Sequence, residues 1–180
     1  MTMKYLVVID VQNDYVTGSL GSPEAQAALP TMEYVVDQTR KEGDTAIVFA
    51  KDTHDIDYFS TFEGQKYPCH CVKNTKGWDI AGSLYKDGDV TVEKPYYGYL
   101  HWEDVIVDPE EITVFGFCTD HCVIVNTLML RSLFPGVKIN VIANCCVGTS
   151  PEAHNAAIRT MGSCQIDVIY KYNLPMYIAR

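Results

Sequence analysis

Residues 4–10 read KYLVVID, a short, β-branched and almost uninterrupted apolar run that closes on a carboxylate, Asp10. A strand of a parallel sheet needs such a run, because helices covering both of its faces leave no wet side for polar residues. The pattern returns at 45–50, TAIVFA, and at 112–117, ITVFGF, with weaker versions at 90–93, 138–142 and 165–170, which makes about six strands. Helical stretches alternate with them. One opens at Pro30 or Thr31 and runs to Lys41, with Met32, Val35, Val36 and Thr39 on one face and Gly43 as its stop. A second spans 119–133, and a third spans 151–161 with Ser150 as N-cap, Pro151 at the first helical position and Gly162 as stop. This alternation predicts an α/β fold of three layers, α/β/α, around a six-stranded, mostly parallel sheet whose ligand crevice lies beyond the carboxyl ends of the strands. Two stretches break the rhythm. Residues 11–29, with Gly18, Gly21, Ser22 and Pro23, read as a long loop, and residues 55–86 read as a large excursion of turn residues and aromatics outside the sheet. Structureless stretches of that length inside a compact chain usually carry function.

At 180 residues the chain suits one domain, 1–180, and its 47% apolar and 21% charged residues are those of a folded globular protein. Fourteen Lys and Arg against 23 Asp and Glu give a net charge of −9, which argues against nucleic-acid binding and favours a small-molecule substrate. No basic n-region or cleavage site precedes the first strand. The most apolar later stretch, 122–134, is interrupted by Asn126, Thr127, Arg131 and Ser132 and falls short of the roughly 20 residues that span a bilayer. Seven cysteines, an odd number without regular spacing, suggest free thiols in a reducing compartment, the cytoplasm.

Three reactive residues stand at strand ends: Asp10, Lys94 and Cys122, the last just past 112–117 and in the first turn of the 119–133 helix. A thiol attacks an amide as thiolate, so it needs a cation or helix N-terminus to lower its pKa, or a base to take its proton. Lys94 is a candidate for the first role and Asp10 for the second. Taken singly, each has a plainer reading, as a turn residue, a solvated lysine and a core thiol. A second cluster, Asp52, His54, Glu63 and His70, offers nitrogen and oxygen donors suited to zinc, manganese or iron(II). Cys69 and Cys71 flank His70, and this Cys-His-Cys run is an alternative zinc site. Cys145, Cys146 and Cys164 read as core or strand-end thiols, and His101, His121 and His154 as surface or capping residues.

IDVQNDY at 9–15, KDTH at 51–54, YPCHCV at 67–72, EKPYYGYL at 93–100, FGFCTDHCV at 115–123 and SPEAH at 150–154 follow one another in an order that resembles the isochorismatase-like cysteine hydrolases, and within them the nicotinamidases. The resemblance covers nearly the whole chain. It implies the isochorismatase-like hydrolase fold, a triad of Asp10, Lys94 and Cys122, and a cis peptide between Phe117 and Cys118 that turns the amides of Cys118 and Cys122 into an oxyanion hole. Cys118 occupies a place often held by alanine. Asp52, His54 and His70 match the metal ligands of nicotinamidases and Glu63 a fourth ligand of some members, which implies one divalent ion, zinc before manganese or iron, that anchors the pyridine nitrogen of nicotinamide. Tyr15 and Tyr67 stand where these enzymes usually sandwich the ring with Phe or Trp, and their phenol groups need partners if buried. Tyr97 stands where a Tyr often lines the pocket. The resemblance further implies hydrolysis of nicotinamide to nicotinate and ammonia through a thioester, and a homo-oligomer. The alternative is another small amide or carbamoyl compound on the same triad.

Overall fold

The computed structural model describes residues 3–170, and its centre is a six-stranded sheet in the order β3-β2-β1-β4-β5-β6 in which every pairing is parallel. The strands are β1 (Met3–Ile9), β2 (Thr45–Asp52), β3 (Val90–Lys94), β4 (Pro109–Phe117), β5 (Lys138–Val147) and β6 (Asp167–Ile169). From β1 the chain moves outward through β2 to β3, then crosses to the other side of β1 to lay down β4, β5 and β6. The order therefore reverses between β1 and β4, and a doubly wound sheet opens its ligand crevice at the carboxyl ends of such a pair. Right-handed crossovers place the helix joining β1 to β2, α2 (Pro23–Glu42), on one face, and α3 (Ile124–Leu133) and α4 (Pro151–Ser163), which pack together, on the other. Met32, Val35 and Val36 of α2, Leu130 of α3 and Met161 of α4 are buried against the apolar strand residues Leu6 to Ile9, Ile47 to Ala50 and Val114 to Phe117.

Each central strand thus delivers a polar tip to one edge of the sheet. Asp10 follows β1, Asp52 closes β2, Lys94 closes β3, and Cys118 follows β4. At Gly116 (φ 141°) a Cβ would lie 1.9 Å from the Ile9 carbonyl oxygen, so only glycine lets β4 approach β1 there. The pairing of β4 with β5 shifts register at the same place, and the peptide between Phe117 and Cys118 is cis, as the resemblance implied. No described helix is long and apolar enough to cross a membrane.

The structure corrects the reading of residues 11–29. Instead of one loop, a single helical turn, α1 (Asn13–Val16), follows β1, and α2 begins at Pro23, eight residues before Thr31. Ser22 accepts the amide of Ala25 as N-cap and Pro23 occupies the first turn, a start signal that the glycines just before it obscured. Pro30 lies inside α2 with its ring exposed, so the carbonyl it leaves without an amide is near water and the helix continues to Gly43 (φ 73°). The 119–133 helix begins as a π turn over Thr119–Val123 before becoming α3. α4 runs through Gly162 to Ser163, and the last strand is shorter than 165–170 because Gln165 takes a left-handed turn (φ 64°). Residues 55–86 form an excursion as expected, tied down by bridges between Gln12 and Ile80 and between His54 and Val72.

Candidate active site

The carboxyl-edge residues converge. The Lys94 side chain is wholly buried, and its ammonium lies 2.7 Å from Asp10 Oδ2, 3.2 Å from Asp52 Oδ1 and 3.4 Å from Cys122 Sγ, with the Tyr96 carbonyl accepting at 3.2 Å. A lysine stripped of water stays charged only among opposite charges. Burial pulls its pKa down, and the charges of Asp10, Cys122 and Asp52 outweigh it and lift the ammonium well above its ordinary value. Asp10 lies at the end of β1 with φ 52°, a left-handed turn that Asp tolerates. Burial pushes its carboxyl up to about 7 despite the opposing pull of Lys94. Neither of its oxygens has a well-aligned hydrogen-bond donor, so the ion pair with Lys94 is held by charge and proximity. Of the two routes the sequence left open for Cys122, the base is favoured, for burial first and Asp10 second hold its thiol well above the usual range, with Lys94 opposing. The Cys122 thiol therefore rests protonated, and the Asp10 carboxyl next to it is the group placed to take that proton.

Asp52, His54, Glu63 and His70 come together as the sequence suggested, their ligating atoms all within 4.8 Å of one another. Nε2 of His54 and of His70 lie 3.2 Å and 3.1 Å from Asp52 Oδ2, and Glu63 Oε1 lies 4.0 Å from His70 Nε2. His70 Nδ1 is 2.8 Å from the Pro68 carbonyl, which can only accept, so Nδ1 donates and Nε2 faces the cluster. An imidazole fixed in this way is the usual form of a metal ligand. Burial raises the carboxyl of Asp52, but Lys94 and the two imidazoles outweigh it and hold Asp52 ionised, well below its ordinary value. Two imidazoles, an ionised carboxylate and the partly buried Glu63 fit a divalent zinc, manganese or iron(II) ion. Neither Cys69 nor Cys71 joins this group, which removes the Cys-His-Cys alternative.

A cavity of about 240 Å³ opens against both clusters, lined among others by Cys122, Cys118, His70, Tyr15, Tyr67 and Tyr97. The three tyrosines expected there are all present. Tyr15 finds the partner its buried phenol requires, donating to Asp52 Oδ2 at 2.8 Å. The Tyr67 hydroxyl lies 3.3 Å from Nε2 of His121, whose ring packs against Tyr97 with centroids 5.6 Å apart. His121, read from the sequence as a surface or capping residue, is thus a wall of the cavity, while Nδ1 of His154 lies 2.8 Å from the Thr119 hydroxyl and caps no helix.

Two buried residues escaped the sequence reading. The side chain of Gln12 accepts from the Asp52 amide at 2.8 Å and donates to the Asp52 carbonyl at 2.9 Å, gripping the end of β2 from both sides. Asn126 accepts from the Tyr99 amide and the Trp102 indole and donates to the carbonyls of Tyr97 and Cys122, which ties the segment after Lys94 to the helical stretch that carries Cys122. The signal for Asn126 was its polar character inside an apolar run. Gln12 had none beyond its place in IDVQNDY.

A doubly wound sheet bearing a buried thiol, lysine and carboxylate at its switch point defines a class of hydrolase. The isochorismatase domain family matches residues 4–170, and the chain belongs to it. Within that family it is similar to a nicotinamidase/pyrazinamidase of Mycobacterium tuberculosis, 27% identical over 192 residues that span 93% of this chain and 98% of the relative. It is also similar to a nicotinamidase of Saccharomyces cerevisiae, 22% identical over 218 residues that span 94% and 100% of the two chains. Among solved structures, a nicotinamidase/pyrazinamidase of Bacillus subtilis aligns with a TM-score of 0.80 at 25% identity, covering 93% of this chain and 99% of that one. A pyrazinamidase of Pyrococcus horikoshii in complex with zinc aligns at 0.82 and 24%, covering 93% and 98%, and shares the fold.

Proposed function

We propose that this chain is a nicotinamidase, a single-domain cysteine amidohydrolase that converts nicotinamide to nicotinate and ammonia. The observation that carries the reading is a cavity lined by Cys122 and by Glu63 and His70, with Lys94 and Asp10 buried directly behind the thiol and Asp52 and His54 completing the cluster to which Glu63 and His70 belong. Its relatives point the same way. A divalent ion bound by those four residues, zinc before manganese or iron, would supply a Lewis-acid anchor for the pyridine nitrogen and so a fixed ring orientation. Tyr15 and Tyr67 would then flank the ring, and Tyr97 and His121 would close the cavity.

In this reading Asp10 takes the Cys122 proton as Sγ attacks the carboxamide carbon, while Lys94 favours both the carboxylate and the developing thiolate. The amides of Cys118 and Cys122 receive the oxyanion of the tetrahedral intermediate. Asp10 returns the proton to departing ammonia, and it later takes a proton from the water that hydrolyses the thioester. Lys94 stays protonated throughout, because the carboxylates around it hold its proton. None of the seven cysteines is joined in a disulfide, which suits the reducing cytoplasm, and we place the enzyme there as a homo-oligomer.

The test is a nicotinamide hydrolysis assay run with metal-loaded enzyme and after chelation, with benzamide as the substrate that lacks a ring nitrogen. Nicotinamide is expected to be hydrolysed far faster than benzamide, and chelation to remove most of that advantage. Turnover of a carbamoyl compound in preference to nicotinamide would replace this reading with the alternative amide.

A further inference from the structure

Asp52 is held more closely than a metal ligand needs for position alone. Gln12 clamps its backbone on both sides. The two carboxylate oxygens are then treated differently. Oδ1 takes the Lys94 ammonium at 3.2 Å, and Oδ2 takes the Tyr15 hydroxyl at 2.8 Å. Oδ2 is also the oxygen that lies 3.2 Å from His54 Nε2 and 3.1 Å from His70 Nε2. A carboxylate oxygen offers two in-plane lone pairs. Tyr15 uses one of them, which leaves one directed at the space between the two imidazoles.

The tyrosine is itself fixed. It sits in the turn α1 immediately after β1, its amide donates to the Gln12 carbonyl at 3.1 Å, and its ring is buried edge-on to His70 with centroids 5.6 Å apart. A phenylalanine in this place would keep that packing and offer Asp52 nothing. The hydroxyl is the only part of the side chain that reaches the carboxylate.

We infer that Tyr15 is a positioning residue of the metal centre as well as a wall of the cavity: together with Lys94 it confines Asp52 to ligation through one oxygen and aims that oxygen's free lone pair between His54 and His70. The inference rests on the metal-anchored reading of the site and adds to it a determinant of metal affinity. Hydrogen bonds of this kind to a ligating group typically change metal affinity by about 10- to 100-fold when removed. Without the hydroxyl, Oδ2 has two free lone pairs and the carboxylate can rotate about its Cβ–Cγ bond, so part of the ordering cost moves to the moment of metal binding.

The experiment measures zinc affinity by competition with a chromophoric chelator, and zinc release by transfer to excess chelator, for the wild type, Tyr15→Phe and Tyr67→Phe. Tyr67→Phe also removes a cavity phenol, but one whose partner is His121 and not a ligand. Tyr15→Phe is expected to bind zinc at least tenfold more weakly and to release it faster, with Tyr67→Phe unchanged within twofold. The d–d spectrum of the cobalt(II)-substituted Tyr15→Phe protein is expected to differ from that of the wild type, a readout that general loosening of the fold would not give. Equal zinc affinity in the wild type and Tyr15→Phe, or an equal loss in both variants, overturns the role of Tyr15 while leaving the metal site standing. A wild type that takes up no zinc, manganese or iron overturns the metal reading itself, and this role with it.

Discussion

Replacing Lys94 by methionine keeps the unbranched stem of the side chain and removes its terminal charge, so it isolates what the buried ammonium does. Lys94 lies 2.7 Å from Asp10 Oδ2 and 3.2 Å from Asp52 Oδ1. At an effective dielectric constant of about 20 the shorter contact is worth roughly 6 kcal/mol before desolvation is charged against it. If about a third survives that offset and relaxation, ~2 kcal/mol, the Asp10 carboxyl rises by about 1.5 pKa units. It starts from about 7, so at neutral pH its ionised share falls from roughly half to about 3%. Loss of the base then costs about fifteenfold, and loss of the cation beside the thiolate is expected to bring the fall in kcat/KM to at least ~100-fold. Ammonia release from nicotinamide, followed from about pH 5 to about pH 9, reads this directly. The wild-type acid limb should lie near the Asp10 value of about 7. In Lys94→Met it should move up by more than about one unit, with partial recovery in alkali. Stability follows the same proton. The folded carboxyl of the variant titrates above its unfolded value of 3.8, so between the two the native state holds the extra proton and stability falls as pH rises. Thermal unfolding should therefore separate variant from wild type more at about pH 8 than at about pH 5. A variant that keeps kcat/KM within about tenfold of wild type, on an unmoved acid limb, would refute the argument that Lys94 sets the state of Asp10.

Cys122→Ala should abolish turnover and leave the fold intact, and residual activity above a few per cent would end the covalent mechanism. His54→Ala should lose metal, measured by elemental analysis, and weaken nicotinamide binding while Cys122 still reacts with a small alkylating agent. Metal loss that also silences the thiol would remove the separation between anchor and nucleophile. Asn126→Leu strands four hydrogen-bonding groups, those of Trp102 and Cys122 in buried bonds and those of Tyr97 and Tyr99 in half-buried ones. At about 1 kcal/mol or more for each group left unsatisfied, denaturant unfolding should show a loss of several kcal/mol, and a loss below about 1 kcal/mol would mean that water replaces the side chain without strain.

The strand runs KYLVVID, TAIVFA and ITVFGF, set between helical stretches, determined the fold class, because apolar runs this short and β-branched suit strands covered on both sides better than buried helices. In a parallel sheet all strand tips lie on one edge, so Asp10 and Lys94 could be named from the runs they close and Cys122 from its place just past 112–117, while the metal cluster was legible from its donor types and the Asp-x-His spacing at 52–54. Helix boundaries near Pro23 and Pro30 were not, for a proline that starts one helix and a proline carried inside it look alike until it is known which carbonyl faces water. Nor were the partners of buried polar groups. That the Tyr15 hydroxyl meets Asp52, 37 residues on, that Gln12 grips the backbone of the same aspartate, and that Asn126 spans four groups depend on distances between segments remote in sequence. The raised thiol of Cys122 is of the same kind. The sequence left two routes to the thiolate open, a lowered pKa or a base, and the depth of burial, which only packing decides, favours the base.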